Sequence, residues 1–227
     1  MELTRRTFLA VAGGAAAAPL GRHASSPTPA PVLLLDGAAP GLSESARGCA
    51  AALAVQGAAV RRVSALSGAA GRRPVQGIVI PAVLRLSNAD TDALLAAAWG
   101  GAHVLVESAA AFGDAEAERG GRRWLRRAFG IEAAEGVALH AGADGRQRVP
   151  YVDFRGPLAA KVRDFSRVLP LAGAGWEPIA FAGGRAVGCA RRTGRGVVAV
   201  LGSPLGPALA YGDREASAWL TAFLPGR

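Results

Sequence analysis

Short apolar runs alternate along this chain with longer segments whose apolar residues have helical spacing. Residues 32–35 and 102–106 are almost entirely apolar, and residues 75–80 form a third run of mainly apolar character. Runs of this kind are typical of parallel strands that are buried on both faces. Because helical segments separate them, the pattern predicts a parallel α/β sheet with right-handed crossovers.

The two segments between these runs have the features of amphipathic helices. In the first, Cys49 and Leu53 fall on one face. In the second, Ser87 and Asp90 form a capping-box pattern, in which the serine accepts from amides of the first turn. The glycines at 100–101 predict the end of that helix, because a left-handed backbone is needed there.

Beyond Phe112 the periodicity weakens. Residues 114–129 predict a helix that is interrupted by the glycine pair at 120–121. Residues 185–192 and 197–201 flank a Thr-Gly-Arg-Gly turn and predict a β-hairpin. Asp213 is predicted to cap a final helix. Two further short strands are predicted at 137–140 and 149–154.

The N-terminal segment predicts an export signal. Arg5, Arg6 and Phe8 fit the pattern that the twin-arginine export machinery recognises, and a weakly apolar run at 10–18 follows. That run is too short to span a bilayer as a helix. Cleavage would release the protein into the periplasm or beyond, whereas an uncleaved signal would anchor it to the membrane. We assign residues 1–24 to the signal, 25–31 to a linker and 32–227 to one domain.

Arginine dominates the charge of the chain. The formal net charge is +9, and Lys161 is the only lysine. We expect no nucleic-acid partner, because no motif of interleaved basic and aromatic residues accompanies the charge. The predicted helix at 114–129 carries a basic surface, which is either a solvated face or a contact for anions. Four arginines form this surface: Arg122, Arg123, Arg126 and Arg127.

The chain resembles a known family over roughly residues 32–224. Strand, proline, Leu-Ser helix start, double glycine, apolar strand and small-residue turn follow one another as in the class I glutamine amidotransferase-like superfamily. The Gly-Arg-Gly turn with the Leu-Gly-Ser that follows it resembles the trehalose-utilisation branch of that superfamily. The resemblance implies a flavodoxin-like, doubly wound, mostly parallel sheet with a C-terminal β-hairpin and a final helix. It also implies a site at the carboxyl ends of the strands.

The chain departs from that family at the residue that would carry the chemistry. Active members have a cysteine nucleophile in the turn after the strand that corresponds to residues 102–106. Here the turn begins with Glu107-Ser108, and the two cysteines are Cys49 and Cys189. Without a thiolate no glutaminyl thioester forms, so we do not expect glutaminase activity and lean against an enzyme. The oxidising compartment permits a disulfide, but two separate core cysteines are favoured.

The resemblance implies a ligand pocket at the strand tips. We interpret the chain as an exported binding or accessory domain for a small molecule, with a glycan as the first expectation by analogy with carbohydrate-linked branches. Trp176 would either anchor the core or stack on a sugar ring. We expect no cofactor and no metal, because no His-x-His, His-Glu-x-x-His or Cys-x-x-Cys motif occurs. Four residues would line the pocket: Asp36, Pro81, Glu107 and Ser203.

Two other functions stay open. One is a hydrolase in which Glu107 or Ser108 acts with His140 at the turn after the strand. The other is an envelope protein that docks on anionic surfaces through its arginine-rich face. The pattern predicts neither the substrate nor the oligomeric state.

Overall fold

The computed structural model describes residues 30–37, 39, 42–70, 74–139, 151–163 and 167–224. The predicted signal, with its Arg5, Arg6 and Phe8, lies outside these residues, as does most of the linker. The helices are α1 (Ser43–Val55), α2 (Asn88–Gly100), α3 (Ala115–Phe129), α4 (Gly206–Ala210) and α5 (Arg214–Phe223). The strands are β1 (Val32–Leu35), β2 (Val60–Val63), β3 (Gly77–Val83), β4 (His103–Ser108), β5 (Glu132–Ala133), β6 (Val137–Ala138), β7 (Tyr151–Phe154), β8 (Ala160–Arg163), β9 (Arg167–Val168), β10 (Leu171–Ala172), β11 (Glu177–Ala182), β12 (Arg185–Thr193) and β13 (Gly196–Leu201).

Nine of these strands form one mixed sheet in the order β2-β1-β3-β4-β13-β12-β11-β7-β8. The strands from β2 to β13 in this order run parallel to their neighbours. Val104 of β4, for example, lies opposite Ile78 of β3 and Val198 of β13. From β13 onward each neighbouring pair is antiparallel.

The predicted fold class is wrong for the sheet as a whole. The strand and helix alternation up to β4 is parallel as predicted, and the hairpin of β12 and β13 is present, with Thr193 opposite Gly196. A flavodoxin-like, doubly wound fold is mostly parallel, however, whereas half of the neighbouring pairs in this sheet are antiparallel. The hairpin is therefore the start of an antiparallel half that the local pattern did not predict.

The core consists of two clusters, one on each face of the sheet. Leu34 and Trp219 belong to the cluster that packs with α1, α4 and α5, and both are fully buried. Leu33 and Leu125 belong to the cluster that packs with α2 and α3. Because successive side chains of a strand point to opposite faces, a strand that is apolar at every position contributes to both clusters.

The helix ends follow the local signals. Ser87 Oγ accepts from the amide of Asp90 at 3.1 Å, which confirms the predicted cap of α2. The Asp90 carboxylate also accepts from the amides of Leu66 and Ser67, so it ties the loop after β2 to the start of α2. Asp213 caps α5 as predicted, since its side chain accepts from two amides of the first turn.

The predicted break in α3 is wrong. The helix is continuous through its glycine pair from Ala115 to Phe129. Asp114 caps its start by accepting from two amides, and Gly130 ends it in the left-handed conformation at φ 69°. Trp124, Leu125 and Phe129 are buried against the sheet, and their burial outweighs a glycine cost of about 1 kcal/mol each.

Both cysteines and Trp176 belong to the hydrophobic core. Cys49 and Cys189 are both free and buried. Trp176 is a core residue, and its indole donates to the carbonyl of Phe129 at 3.0 Å. None of the described helices has the length and apolar character that crossing a membrane would require.

Candidate functional site

Glu107 is the penultimate residue of β4, at the carboxyl edge of the parallel strands, and its side chain is completely buried. Four donors surround its carboxylate. The Ser45 hydroxyl and the Cys49 thiol donate from α1, and the distance from the Cys49 sulfur to the carboxylate oxygen is 3.5 Å. The backbone amides of Ala82 and Leu205 donate from β3 and from the residue before α4. Glu107 therefore links four segments of the chain at one point.

Burial dominates the electrostatics of this cluster. It raises the pKa of Glu107 to about 7, although its four hydrogen bonds act in the opposite direction. Burial also raises the pKa of the Cys49 thiol well above its usual value, and the neighbouring Glu107 adds to this shift. The thiol is therefore protonated at neutral pH and acts as a donor, because only a thiolate is nucleophilic.

The amide of Ala82 reaches Glu107 because β3 is irregular at its end. The β3–β4 register shifts between Ile80 and Val83, and Ala82 has a φ of 43°. A non-glycine residue in this region costs about 1–3 kcal/mol and persists only where its surroundings hold it. Here the hydrogen bond to Glu107 and the bond from the amide of Ala39 to the Ala82 carbonyl hold it.

Ser108 is closed off from solvent as well. Its hydroxyl accepts from the amide of Ala110 at 3.3 Å, at the start of a short 3-10 turn, 110–112. The amide of Ala109, the residue between Ser108 and Ala110, donates to the carbonyl of Val83. The third residue of the hydrolase hypothesis, His140, lies outside the described residues. Neither Glu107 nor Ser108 thus presents a reactive group in an open cleft.

The other residues predicted to line a strand-tip pocket have different surroundings. Asp36 is exposed and pairs with Arg62 at 2.9 Å. Pro81 is buried within β3. Ser203 lies beside a cavity of about 10 Å³ whose walls are mainly apolar, and its buried hydroxyl has no partner among the described residues. A cavity of this size has room for about one water molecule.

Two open clefts lie instead along the outer face of α3. The arginine cleft has a volume of about 330 Å³. The glycine cleft, about 310 Å³, lies between α3 and the loop after β3. The arginine cleft is lined by Arg119, Arg122, Arg123, Arg126, Glu132 and Ala133. The glycine cleft is lined by Leu84, Arg85, Asp114, Glu116, Ala117, Gly120, Gly121 and Arg123.

Arg123 belongs to both clefts and is the least constrained arginine of the arginine cleft. Arg126 is paired with Glu132 at 2.5 Å, and Arg122 donates from Nε to the carbonyl of Ala133 at 2.8 Å. The Arg123 side chain is exposed and makes no hydrogen bond or ion pair with any other described residue. Its guanidinium is therefore available to a ligand in either cleft.

The spacing of these arginines is unfavourable for the helix alone. Arg119 and Arg123 are four residues apart, as are Arg122 and Arg126, and like charges at this spacing destabilise a helix. The sequence pattern identified the basic surface but included Arg127, which lines neither cleft, and omitted Arg119. The four-residue spacing from Arg119 to Arg123 was the available signal.

The remaining arginine of the two clefts, Arg85, could not be assigned from the sequence pattern, because the loop after β3 meets α3 only in the folded chain.

Among the described residues, no group of three or more histidine, cysteine, aspartate or glutamate side chains is arranged to hold a metal ion.

Comparison with known proteins gives a fold likeness without a family assignment. No protein-family model matches the chain, and no curated protein matches it by sequence. An exo-β-1,4-mannosidase from Opitutaceae bacterium strain TAV5 is similar over 87% of this chain and 37% of its own, with 18% identity and a TM-score of 0.57. A β-galactosidase from Halorubrum lacusprofundi is similar over 83% of this chain and 30% of its own, with 21% identity and a TM-score of 0.57.

A cytoplasmic protein from Salmonella typhimurium LT2 is similar over most of both chains, 78% of this one and 85% of its own, with 12% identity and a TM-score of 0.55. The chain spans about a third of the length of the glycoside hydrolases that it matches. At these identities the likeness concerns the fold.

These findings correct the sequence interpretation. The predicted resemblance to the glutamine amidotransferase-like superfamily is wrong, because the structures of similar fold include the glycosidases and the Salmonella protein above, and no family model matches. The interpretation as a non-catalytic amidotransferase-like domain is wrong with it.

Proposed function

We propose that this chain takes part in carbohydrate processing by binding an anionic saccharide along the outer face of α3. The fold likeness to a mannosidase and a β-galactosidase supports the carbohydrate class. The charge of the arginine cleft supports the anionic character, since four arginines and a single glutamate carry its charge. The predicted twin-arginine signal belongs to the same proposal, because export would bring the domain to extracellular saccharides.

The proposal depends mainly on the guanidinium of Arg123 and its position between the two clefts. A guanidinium binds a carboxylate or sulfate through two parallel hydrogen bonds. Arg123 has no partner among the described residues and stands between the two clefts, while Arg126 is already paired with Glu132. A bound anion would also relieve the repulsion between the arginines that α3 holds at helical spacing.

Calorimetric titration with trigalacturonate, and with cellotriose as the neutral counterpart, tests the proposal. We expect trigalacturonate to bind and cellotriose not to, with an affinity that falls as salt is raised from 50 to 300 mM. Arg123→Gln is expected to weaken trigalacturonate binding about tenfold or more, because a hydrogen bond to a charged group contributes about 1.5–3 kcal/mol.

Arg127→Gln is the matched control, because it removes the same charge from the same helix at a residue outside both clefts. Equal loss in both variants would indicate general attraction to a basic surface and would contradict the proposal. Binding of cellotriose as tight as that of trigalacturonate would also contradict it.

A further inference from the structure

Gly120 occupies a position in α3 that packing does not explain. A glycine in a helix interior costs about 1 kcal/mol relative to alanine, so it usually has a structural reason. Its neighbour Gly121 has one, because a Cβ there would lie 2.7 Å from the Cβ of Ala110 and 3.1 Å from the carbonyl oxygen of Leu84. A Cβ on Gly120 would meet no atom of the described residues within 4 Å.

The space above Gly120 is part of the glycine cleft. Any side chain at this position would occupy that space, so the glycine keeps the cleft open. No other atom that the structure describes lies close enough to require the absence of a Cβ. The open cleft therefore accounts for a glycine at this position, although glycine destabilises the helix relative to alanine.

The chemistry of the glycine cleft differs from that of the arginine cleft. Arg85 and Arg123 supply donors, and Asp114 and Glu116 supply acceptors, so the formal charges cancel. One oxygen of Asp114 already accepts from two backbone amides, which leaves the other for a ligand. Leu84 adds an apolar wall.

We infer that the glycine cleft is the subsite for an uncharged sugar residue. This sugar would lie next to the acidic sugar residue that the arginine cleft binds. Hydroxyl groups of a neutral sugar donate to carboxylates and accept from guanidinium groups, whereas its C–H face packs against an apolar wall. Because Arg123 lines both clefts, it contacts both sugar residues. This inference rests on the proposed function and defines its ligand as a saccharide in which an acidic residue is joined to a neutral one.

The test compares two ligands on the full chain: glucuronosyl-galactose, which joins an acidic residue to a neutral one, and free glucuronate. We expect the disaccharide to bind at least tenfold more tightly than the monosaccharide. Gly120→Gln fills the glycine cleft and is expected to reduce disaccharide affinity to that of glucuronate, with glucuronate affinity unchanged. Arg123→Gln is expected to weaken both ligands.

Thermal unfolding separates a filled cleft from a damaged fold. Gly120→Ala and Gly120→Gln are both expected to unfold at or above the temperature of the unmodified chain, because alanine and glutamine are better helix formers than glycine. A Gly120→Gln protein that binds the disaccharide with unchanged affinity would overturn this inference, as would tighter binding of digalacturonate than of glucuronosyl-galactose. If Arg123→Gln leaves glucuronate binding unchanged, the proposed function itself fails.

Discussion

At the scale of single residues, Glu107 is a buried side chain that connects four segments of the fold. The sequence pattern placed it in a ligand pocket or at the centre of a hydrolase, as an acid at a strand tip. The structure places it behind α1 and α4, where Ser45, Cys49 and two backbone amides saturate it. An ionisable group in this position stabilises the geometry around it but costs free energy when charged.

The raised pKa of Glu107 predicts a specific pH dependence of stability. The pKa rises from 4.5 to about 7 on folding, so the folded state binds the proton more tightly than the unfolded state. The stabilisation is complete below pH 4.5 and is lost as the pH rises to about 7, a change of up to about 3 kcal/mol. Urea unfolding between pH 4.5 and 8.5 measures it.

Glu107→Gln is expected to remove this dependence, because a carboxamide does not titrate. Glu135→Gln, at an exposed position, serves as the control and is expected to retain the dependence of the unmodified chain. The lowered pKa of Asp90, where hydrogen bonds to the carboxylate outweigh burial, acts below pH 3.8 and does not overlap the measured range. Stability of the unmodified chain that rises from pH 4.5 to 7 would contradict the assignment.

At the scale of elements, α4 depends on its contact with α1. A helix of five residues is not stable alone, so tertiary packing must hold it. A Cβ on Gly48 would lie 2.0 Å from the carbonyl oxygen of Gly206, and one on Gly206 would lie 2.2 Å from the Ser45 hydroxyl. The two helices thus approach closely enough that only glycine fits, and this approach brings the amide of Leu205 to Glu107.

Gly48→Ala is therefore expected to destabilise the protein by about 3 kcal/mol or more, since the clash involves backbone atoms of α4 that have little room to shift. Gly120→Ala is the matched control, because it makes the same change within a helix that has open space, and it is expected to stabilise by about 0.5–1 kcal/mol. Chemical unfolding measures both. Similar changes in the two variants would show that helix propensity, rather than the α1–α4 contact, decides the effect.

At the scale of the whole molecule, the predictable half of the fold is the half in which strands are buried on both faces. Residues 102–106 are apolar at nearly every position, and this local signal located β4 and its parallel neighbours. Residues 149–154 were predicted as a strand and contain β7, but a short strand alone does not specify its partner. The pairing of β7 with β11 joins residues far apart in the chain, and no local pattern encodes it.

The same distinction applies to the candidate site. The basic surface of α3 was predictable because helical spacing places Arg122, Arg123 and Arg126 on one side. The burial of Glu107 was not predictable, because it depends on α4, which is nearly 100 residues further along the chain. Surface chemistry on one element can be derived from its own sequence, whereas burial requires knowledge of what covers it.

The order of the sheet predicts how the backbone amides exchange with solvent. β4 has a partner on each side, and Val104, Leu105 and Val106 are completely buried, so their amides are released only when the molecule unfolds globally. The edge strands β2 and β8 each contain two exposed residues and have one neighbour each in the described sheet. Hydrogen exchange followed by mass spectrometry is expected to give slow exchange for β3, β4 and β13, and exchange at least a hundredfold faster for β2 and β8.

Gly48→Ala, which lowers global stability, is expected to accelerate amide exchange in the central strands more than in the edge strands. Equal acceleration of all strands would contradict a core whose amides exchange by global unfolding alone, because edge amides that open locally do not depend on global stability.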